Sequence, residues 1–386
     1  MRHALAAKLA SFYASYFAVV GIHLPFWPVW LEEARGLDPV GIGMLLAAMT
    51  WPKVVTNIAI PRVADRLGRR RDVMLMLAAA TLLAFALFGI AGSFPALLLL
   101  SAITGITLAA ILPLAEALAL AEAKAAGIGY ARVRLWGSVA FILATLACGL
   151  LLERTGVSAV LILILIALAL LLLACGALPQ ARFGVAAAPP HLAALWRRPG
   201  FMRFALAASL LHASHAVYYG FATIHWRNAG IGEATIGWLW AEGVIAEILL
   251  FLWAGGIVER AGPPGVLLIA AILTAARWTA SGLSVDLPVL VMAQTLHGAS
   301  FGAVHLATMH YLRDAVPAGL HGSAQGCYAA LSALLFGLLM PVSGWLYGAS
   351  GGRAFLAMAV VAIAASGLVV SAAWPKRLSE RKRGME

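Results

Sequence analysis

Acids and bases recur in pairs inside the apolar runs of this chain. Glu116 stands 18 residues before Arg134, and Glu247 precedes Arg277. A carboxylate and a guanidinium within about 4–6 Å hold each other ionised, and an incoming anion or proton can break such a pair. Lys53, directly after Pro52, is a further cation in an apolar run, and Arg132, two residues from Arg134, is expected to point elsewhere. His297 brings an imidazole whose reference pKa of about 6.5 suits proton relay. Glu242 lies five residues before Glu247, about 140° round a helix, so Glu247 is expected to be the deeper acid. Metal chemistry fits less well. His297, His305 and His310 are eight and five residues apart, about 80° and 140° of rotation, whereas helical zinc ligands sit at i and i+4. His212 and His215 could share a face but have no evident third ligand. No metal, cofactor or catalytic residue is expected, and the chain reads as a non-enzyme.

The elements that carry these groups must be built for lipid. Of 386 residues, 63% are hydrophobic and 11% charged, against about a quarter charged in soluble domains. Apolar runs of about 20 residues recur, each long enough to cross roughly 30 Å of hydrocarbon as helix. They lack the two-residue alternation of a membrane barrel, so helices are the remaining way to satisfy the backbone. In that solvent a charge at mid-depth costs about 2.5–3.5 kcal/mol, so each one needs a partner or a wet cavity. The net charge of +11 does not point to nucleic acid, because the basic residues sit at segment ends. Cys148, Cys175 and Cys327 lie in apolar runs without metal-type spacing. Tyr13, Tyr16, Phe17, Tyr218, Tyr219 and Trp240 are candidates to line a cavity for an aromatic solute, or to pack and anchor helices.

The pattern predicts twelve transmembrane helices. A polar interruption containing Pro189, Pro190, Arg197 and Arg198 divides residues 1–180 from 203–376, with a linker at 181–202 and a tail at 377–386. With the N-terminus inside, 19 Lys or Arg fall on the cytoplasmic side and four, Arg35, Arg154, Arg227 and Arg353, on the other. This bias places both termini in the cytoplasm. The basic start, Met1 to Lys8, runs on to Leu31 without a clear cleavage site, which predicts an unprocessed first span. An internal repeat joins the halves: an acid, an Arg and a Gly recur in Asp65-Arg66-Leu-Gly68 and Glu259-Arg260-Ala-Gly262, 194 residues apart. Such duplication is common in transporters.

The first of these loops, Asp65-Arg66-Leu-Gly68-Arg69-Arg70, resembles the signature of the major facilitator superfamily, with Pro61 where the family has a leading Gly. Span one, Gly21-Ile-His23-Leu-Pro25-Phe26-Trp-Pro28-Val-Trp30-Leu31, and span five, Gly129 to Phe141, are similar to lactose-permease-like proton symporters. Ala213 to Phe221, Trp240 to Glu247 and His297 to Leu306 look most like the 3-phenylpropionate transporter family.

The resemblance implies a major facilitator fold of two six-helix pseudo-repeats in a bacterial inner membrane, functional as a monomer. It implies proton-coupled uptake of a small aromatic carboxylate by alternating access. Asp65, Arg66, Gly68, Arg69, Glu259 and Arg260 would act in gating. Arg134, Lys53, Arg277 and Tyr219 would bind substrate, and Glu116, Glu247 and His297 would serve proton coupling. His297 matches a functional histidine of the lactose-permease-like branch, but that branch has a Lys where Gln294 stands and an acid where Ser300 stands, so the proton needs another carboxylate. The expected partners are a small-molecule substrate, protons and the lipid bilayer, with no nucleic acid. A sugar or nucleoside proton symporter is the second reading, since spans one and five share motifs with those branches, and a hydrophobic-compound exporter the third.

Overall fold

Ile162, Ile166, Leu170 and Leu173, spaced four, four and three residues apart, are all more than half exposed, while Val160, Ile164, Leu168 and Leu171 of the same helix are fully buried. One face of this helix therefore packs on protein and the other, equally apolar, faces outward, as a solvent of lipid tails allows. The computed structural model describes residues 2–180, 195, 199–253, 255–317 and 320–371, and among them it is almost wholly helical. The linker expected at 181–202 is described only at 195 and 199–202, and the tail at 377–386 lies outside the described residues.

Seven helices come first: α1 (Arg2–Arg35), α2 (Pro39–Thr50), α3 (Lys53–Leu67), α4 (Arg70–Phe88), α5 (Phe94–Ala125), α6 (Tyr130–Thr155) and α7 (Ala159–Ala177). Then follow α8 (Pro199–Ala213), α9 (Ala216–Asn228), α10 (Glu233–Trp253), α11 (Gly255–Leu283), α12 (Leu287–Thr295), a π-helical turn (Gly298–Ala303), α13 (Val304–Ala315), α14 (His321–Ser350) and α15 (Ala354–Val370). Ten stretches among the described residues are long and apolar enough to cross a membrane, against the twelve expected. The difference lies at two places. One 50-residue stretch, His321–Val370, holds both α14 and α15, parted by a 3₁₀ turn at Gly351–Arg353. And α8 and α9 are each short because their run breaks at Ser214-His215, where the Ser214 hydroxyl donates to the Leu211 carbonyl at 2.7 Å. Side chains that bond local carbonyls in this way compete with the helix ladder.

The chain forms two compact units. The first holds residues 2–180 with Val217–Val244 and Gly337–Gly351. Small residues allow the additional segments to sit against the leading helices: a methyl on Gly237 would fall 2.7 Å from the Thr145 carbonyl, and one on Gly43 would press on the Met340 carbonyl at 2.6 Å. Close backbone approach over glycines is how membrane helices gain dispersion contact without a hydrophobic driving force. The core here is aromatic, with Trp27 stacked on Trp30 at 4.6 Å and edge-on to Phe85 and Phe88. The second unit holds 195, 199–216, Ile245–Phe336 and 352–371 of the described residues, with a core from α8, α11, α13, α14 and α15 around Phe204, stacked on Tyr311 at 4.0 Å.

Candidate functional site

In the first unit, α5 and α6 bring Glu116 and Arg134 together, the Arg134 Nε lying 3.8 Å from a Glu116 carboxylate oxygen. The Arg134 and Glu116 side chains keep 31% and 40% of their exposure, so the pair is loose and open on one side. From α1, Phe17 and Tyr13 present ring faces to the guanidinium at 4.2 and 5.4 Å, contacts worth about 0.5–2 kcal/mol each depending on desolvation. Gly137, one turn after Arg134, makes this possible. A methyl there would lie 2.6 Å from Phe17 and 2.9 Å from the Arg134 Nη1. The arrangement can bind a carboxylate in the plane of the guanidinium while an aromatic body rests among the rings.

Lys53 opens α3 at the Trp51-Pro52 break, where the proline offers no backbone N–H to continue α2. It is half-buried, interacts electrostatically with His23 of α1, and makes no ion pair among the described residues. Tyr219 of α9 lies beside Trp240 of α10, ring centroids 5.9 Å apart, with Tyr218 at 4.5 Å from the same indole. The Trp240 N–H donates to Thr223 at 3.0 Å, which fixes its edge.

The second unit holds a buried polar network. Arg277 of α11, fully enclosed, donates to the Ser300 hydroxyl and to the Gln294 carbonyl oxygen, each at 2.9 Å, and lies over Trp278. His215 contacts the same hydroxyl at 3.3 Å, and His297 lies beside it, ring centroids 5.9 Å apart, while stacking on Phe301. Gln294 and Ser300 are the two positions, three residues either side of His297, at which the sequence departs from the lactose-permease-like pattern, and both accept from Arg277. Glu247 of α10 borders the π turn, since a methyl on Gly302 would meet its Cγ at 3.5 Å. Among the described residues no three His, Cys, Asp or Glu side chains converge as metal ligands do.

The loop motif is also explained by geometry. Asp65 accepts from the Arg70 Nε at 2.5 Å, both nearly buried, so the partner of this acid is Arg70, which sequence reading did not single out. Arg66 and Arg69 are not buried with it. Gly68 ends α3 with φ +62°, and Gly262, three residues after Glu259, has φ +69°. The repeated glycine thus has a positive φ in both halves, left-handed helical at Gly68 with ψ +23° and extended at Gly262 with ψ +162°, conformations that favour Gly. Glu259 and Arg260 are exposed beside it.

A family model described as the MFS_1 like family matches residues 6–357. The chain belongs to this family of major facilitator transporters. It is 35% identical over 374 residues to the "Probable 3-phenylpropionic acid transporter" of Escherichia coli (strain K12), covering 92% of this chain and 95% of that one. It is 29% identical to the maltose permease of Geobacillus stearothermophilus, over 83% and 82% of the two chains. Among solved structures, the nucleoside transporter NupG superposes with a TM-score of 0.80 at 17% identity, covering 95% of this chain and 98% of that one. This MFS_1 like chain therefore shares the transporter fold, and its relatives are membrane carriers of small molecules rather than enzymes.

Proposed function

We propose that this transporter imports small aromatic carboxylates together with protons, by alternating access in a bacterial inner membrane with both termini cytoplasmic. The observation that carries this reading is Arg134, held by a loose carboxylate on one side and faced by Phe17 and Tyr13 on the other. The relation to a 3-phenylpropionic acid transporter supports the same solute class. Arg134 binds the carboxylate, with Lys53, Arg277 and Tyr219 as further substrate contacts. Glu116, Glu247 and His297 serve the proton, whose uptake offsets the anion's charge as the loaded carrier reorients. Asp65, Arg66, Gly68, Arg69, Glu259 and Arg260 serve gating.

The test is uptake by reconstituted vesicles of aryl carboxylates, their uncharged amides, sugars and nucleosides, with and without an imposed pH gradient. Gradient-stimulated uptake of the acids alone is expected. Preference for maltose or a nucleoside would establish the second reading, which the maltose permease and the putative nucleoside transporter among the relatives favour. Preference for the amide would end the carboxylate reading.

A further inference from the structure

His215 is the residue of the buried network whose hydrogen-bond partners admit two complete arrangements differing by one proton. Its Nδ1 lies 3.0 Å from the Leu211 carbonyl. A carbonyl only accepts, so Nδ1 carries a hydrogen whether the ring is neutral or charged. Its Nε2 lies 3.3 Å from the Ser300 Oγ, which accepts from Arg277 at 2.9 Å and stands 3.3 Å from the His297 carbonyl. A serine hydroxyl has one hydrogen and two acceptor lone pairs. With His215 neutral, Ser300 donates to Nε2 while accepting from Arg277. With His215 protonated, Nε2–H donates to the second lone pair of Ser300, and the hydroxyl hydrogen turns to the His297 carbonyl. Both arrangements keep the two His215 ring nitrogens and the Arg277 N–H paired, and they differ by one proton on Nε2 and a rotation of the Ser300 hydroxyl.

We propose that His215 takes up the transported proton at Nε2, with Ser300 as the positioning residue whose hydroxyl rotation accommodates it. This deepens the symport reading and rests on it, naming a residue outside Glu116, Glu247 and His297. The groups facing His215 set its conditions. Arg277 from α11 shares Ser300 with it, His212 on α8 and His297 after α12 have ring centroids at 6.5 and 5.9 Å, and Trp278 lies edge-on at 4.9 Å. His212 is in turn bonded to Tyr328 of α14 at 2.6 Å, and Glu247 borders the same π turn. A second positive charge beside Arg277 needs a nearby negative one, supplied by Glu247 or by an anionic substrate. Where the anionic substrate supplies it, proton and anion arrive together. The proton comes from water on the side to which the carrier is open and leaves to water on the other.

The experiment uses full-length protein in vesicles with 3-phenylpropionate, reading uptake driven by a pH gradient, exchange at equal pH, and proton uptake that accompanies substrate. His215→Gln should impair gradient-driven uptake about tenfold more than exchange and abolish the accompanying proton uptake. Ser300→Ala should do the same in part, and Ser300→Thr, which keeps the hydroxyl, should restore coupling. Wild-type protein that moves no protons would remove symport and this proposal together. Proton uptake persisting in His215→Gln would remove this proposal alone, and equal losses of exchange and gradient-driven uptake would overturn it by making His215 structural. A substrate-independent check is the ¹⁵N spectrum of the His215 ring in folded wild type: the neutral form should carry its hydrogen on Nδ1, and the opposite tautomer would sink the relay.

Discussion

A planar guanidinium donates two parallel hydrogen bonds to a carboxylate, which an ammonium cannot reproduce, so Arg134 is open to a test of chemistry rather than of charge alone. Arg134→Lys should weaken binding of an aryl carboxylate, and Arg134→Gln more so, while affinity for the uncharged amide changes little in folded protein of matched expression. Parallel losses for both ligands would assign Arg134 to structure. Gly137 offers a second test. A methyl there meets Phe17 at 2.6 Å and Arg134 at 2.9 Å, and crowding of this kind costs typically about 1–3 kcal/mol. Gly137→Ala should therefore lower affinity for aryl carboxylates about tenfold or more, measured by equilibrium binding, and unchanged affinity would detach Phe17 from the site. Glu247→Gln should impair transport driven by a pH gradient more than exchange at equal pH. Full gradient-driven activity in that variant would remove Glu247 from the proton route. Arg134 and Glu247 were legible in the sequence because a charge in an apolar run is costly and therefore conspicuous, whereas Gly137 emerged only from its closeness to Phe17 and Arg134. Ser300 and Gln294 were visible only as departures from a pattern, and their bonds to Arg277 depend on α11 lying beside the π turn.

Two helical runs in this chain break beside the buried network around Ser300. The break at Ser214-His215 frees His215 to reach Ser300, and the π turn at Gly298–Ala303 lets Gly298 approach the Ala246 carbonyl, where a methyl would sit at 2.7 Å. Turns with i→i+5 bonding are rare and often mark functional positions. Neither break could be read from composition, since the choice between α and π bonding depends on what packs against the glycines. The Asp65–Arg70 pair was half legible: the acid and the basic run were evident, but which Arg folds back depends on the turn at Gly68. Asp65→Asn should lower the thermal midpoint of the purified transporter by leaving the buried Arg70 charge without this carboxylate, a change that typically costs about 3–5 kcal/mol. Adding Arg70→Gln should recover part of the loss. No recovery in the double variant would show that Asp65 acts on something other than Arg70.

At the scale of the whole molecule, lipid is the solvent and small residues are the means of association. In the first unit, Val217–Val244 and Gly337–Gly351 pack on the leading helices through glycines, and Arg227 bonds both Glu233 at 2.9 Å and Glu33. Gly237→Leu should break this packing. Spin labels at positions 155 and 229, in protein with the three cysteines replaced, should then report a longer distance than in the parent. An unchanged distance would mean that Gly237 does not hold the segment. For orientation, tags near residue 190 and at the C-terminus should be cytoplasmic and one near Arg35 external, as the basic bias requires. Opposite placement of the first two would end the six-plus-six reading. The solvent, the helical class and the charges within apolar runs were legible along the chain, because hydropathy and the cost of charge in hydrocarbon are properties of single residues and short runs, and the family was legible in its motifs. Packing in three dimensions was needed to show that Arg277 bonds Gln294 and Ser300, that Arg70 answers Asp65, and that later segments join the first compact unit. The joining of later segments depends on backbone approach over glycines between helices far apart in sequence, the Arg277 bonds on α11 lying beside the π turn, and the Asp65–Arg70 pair on the turn at Gly68.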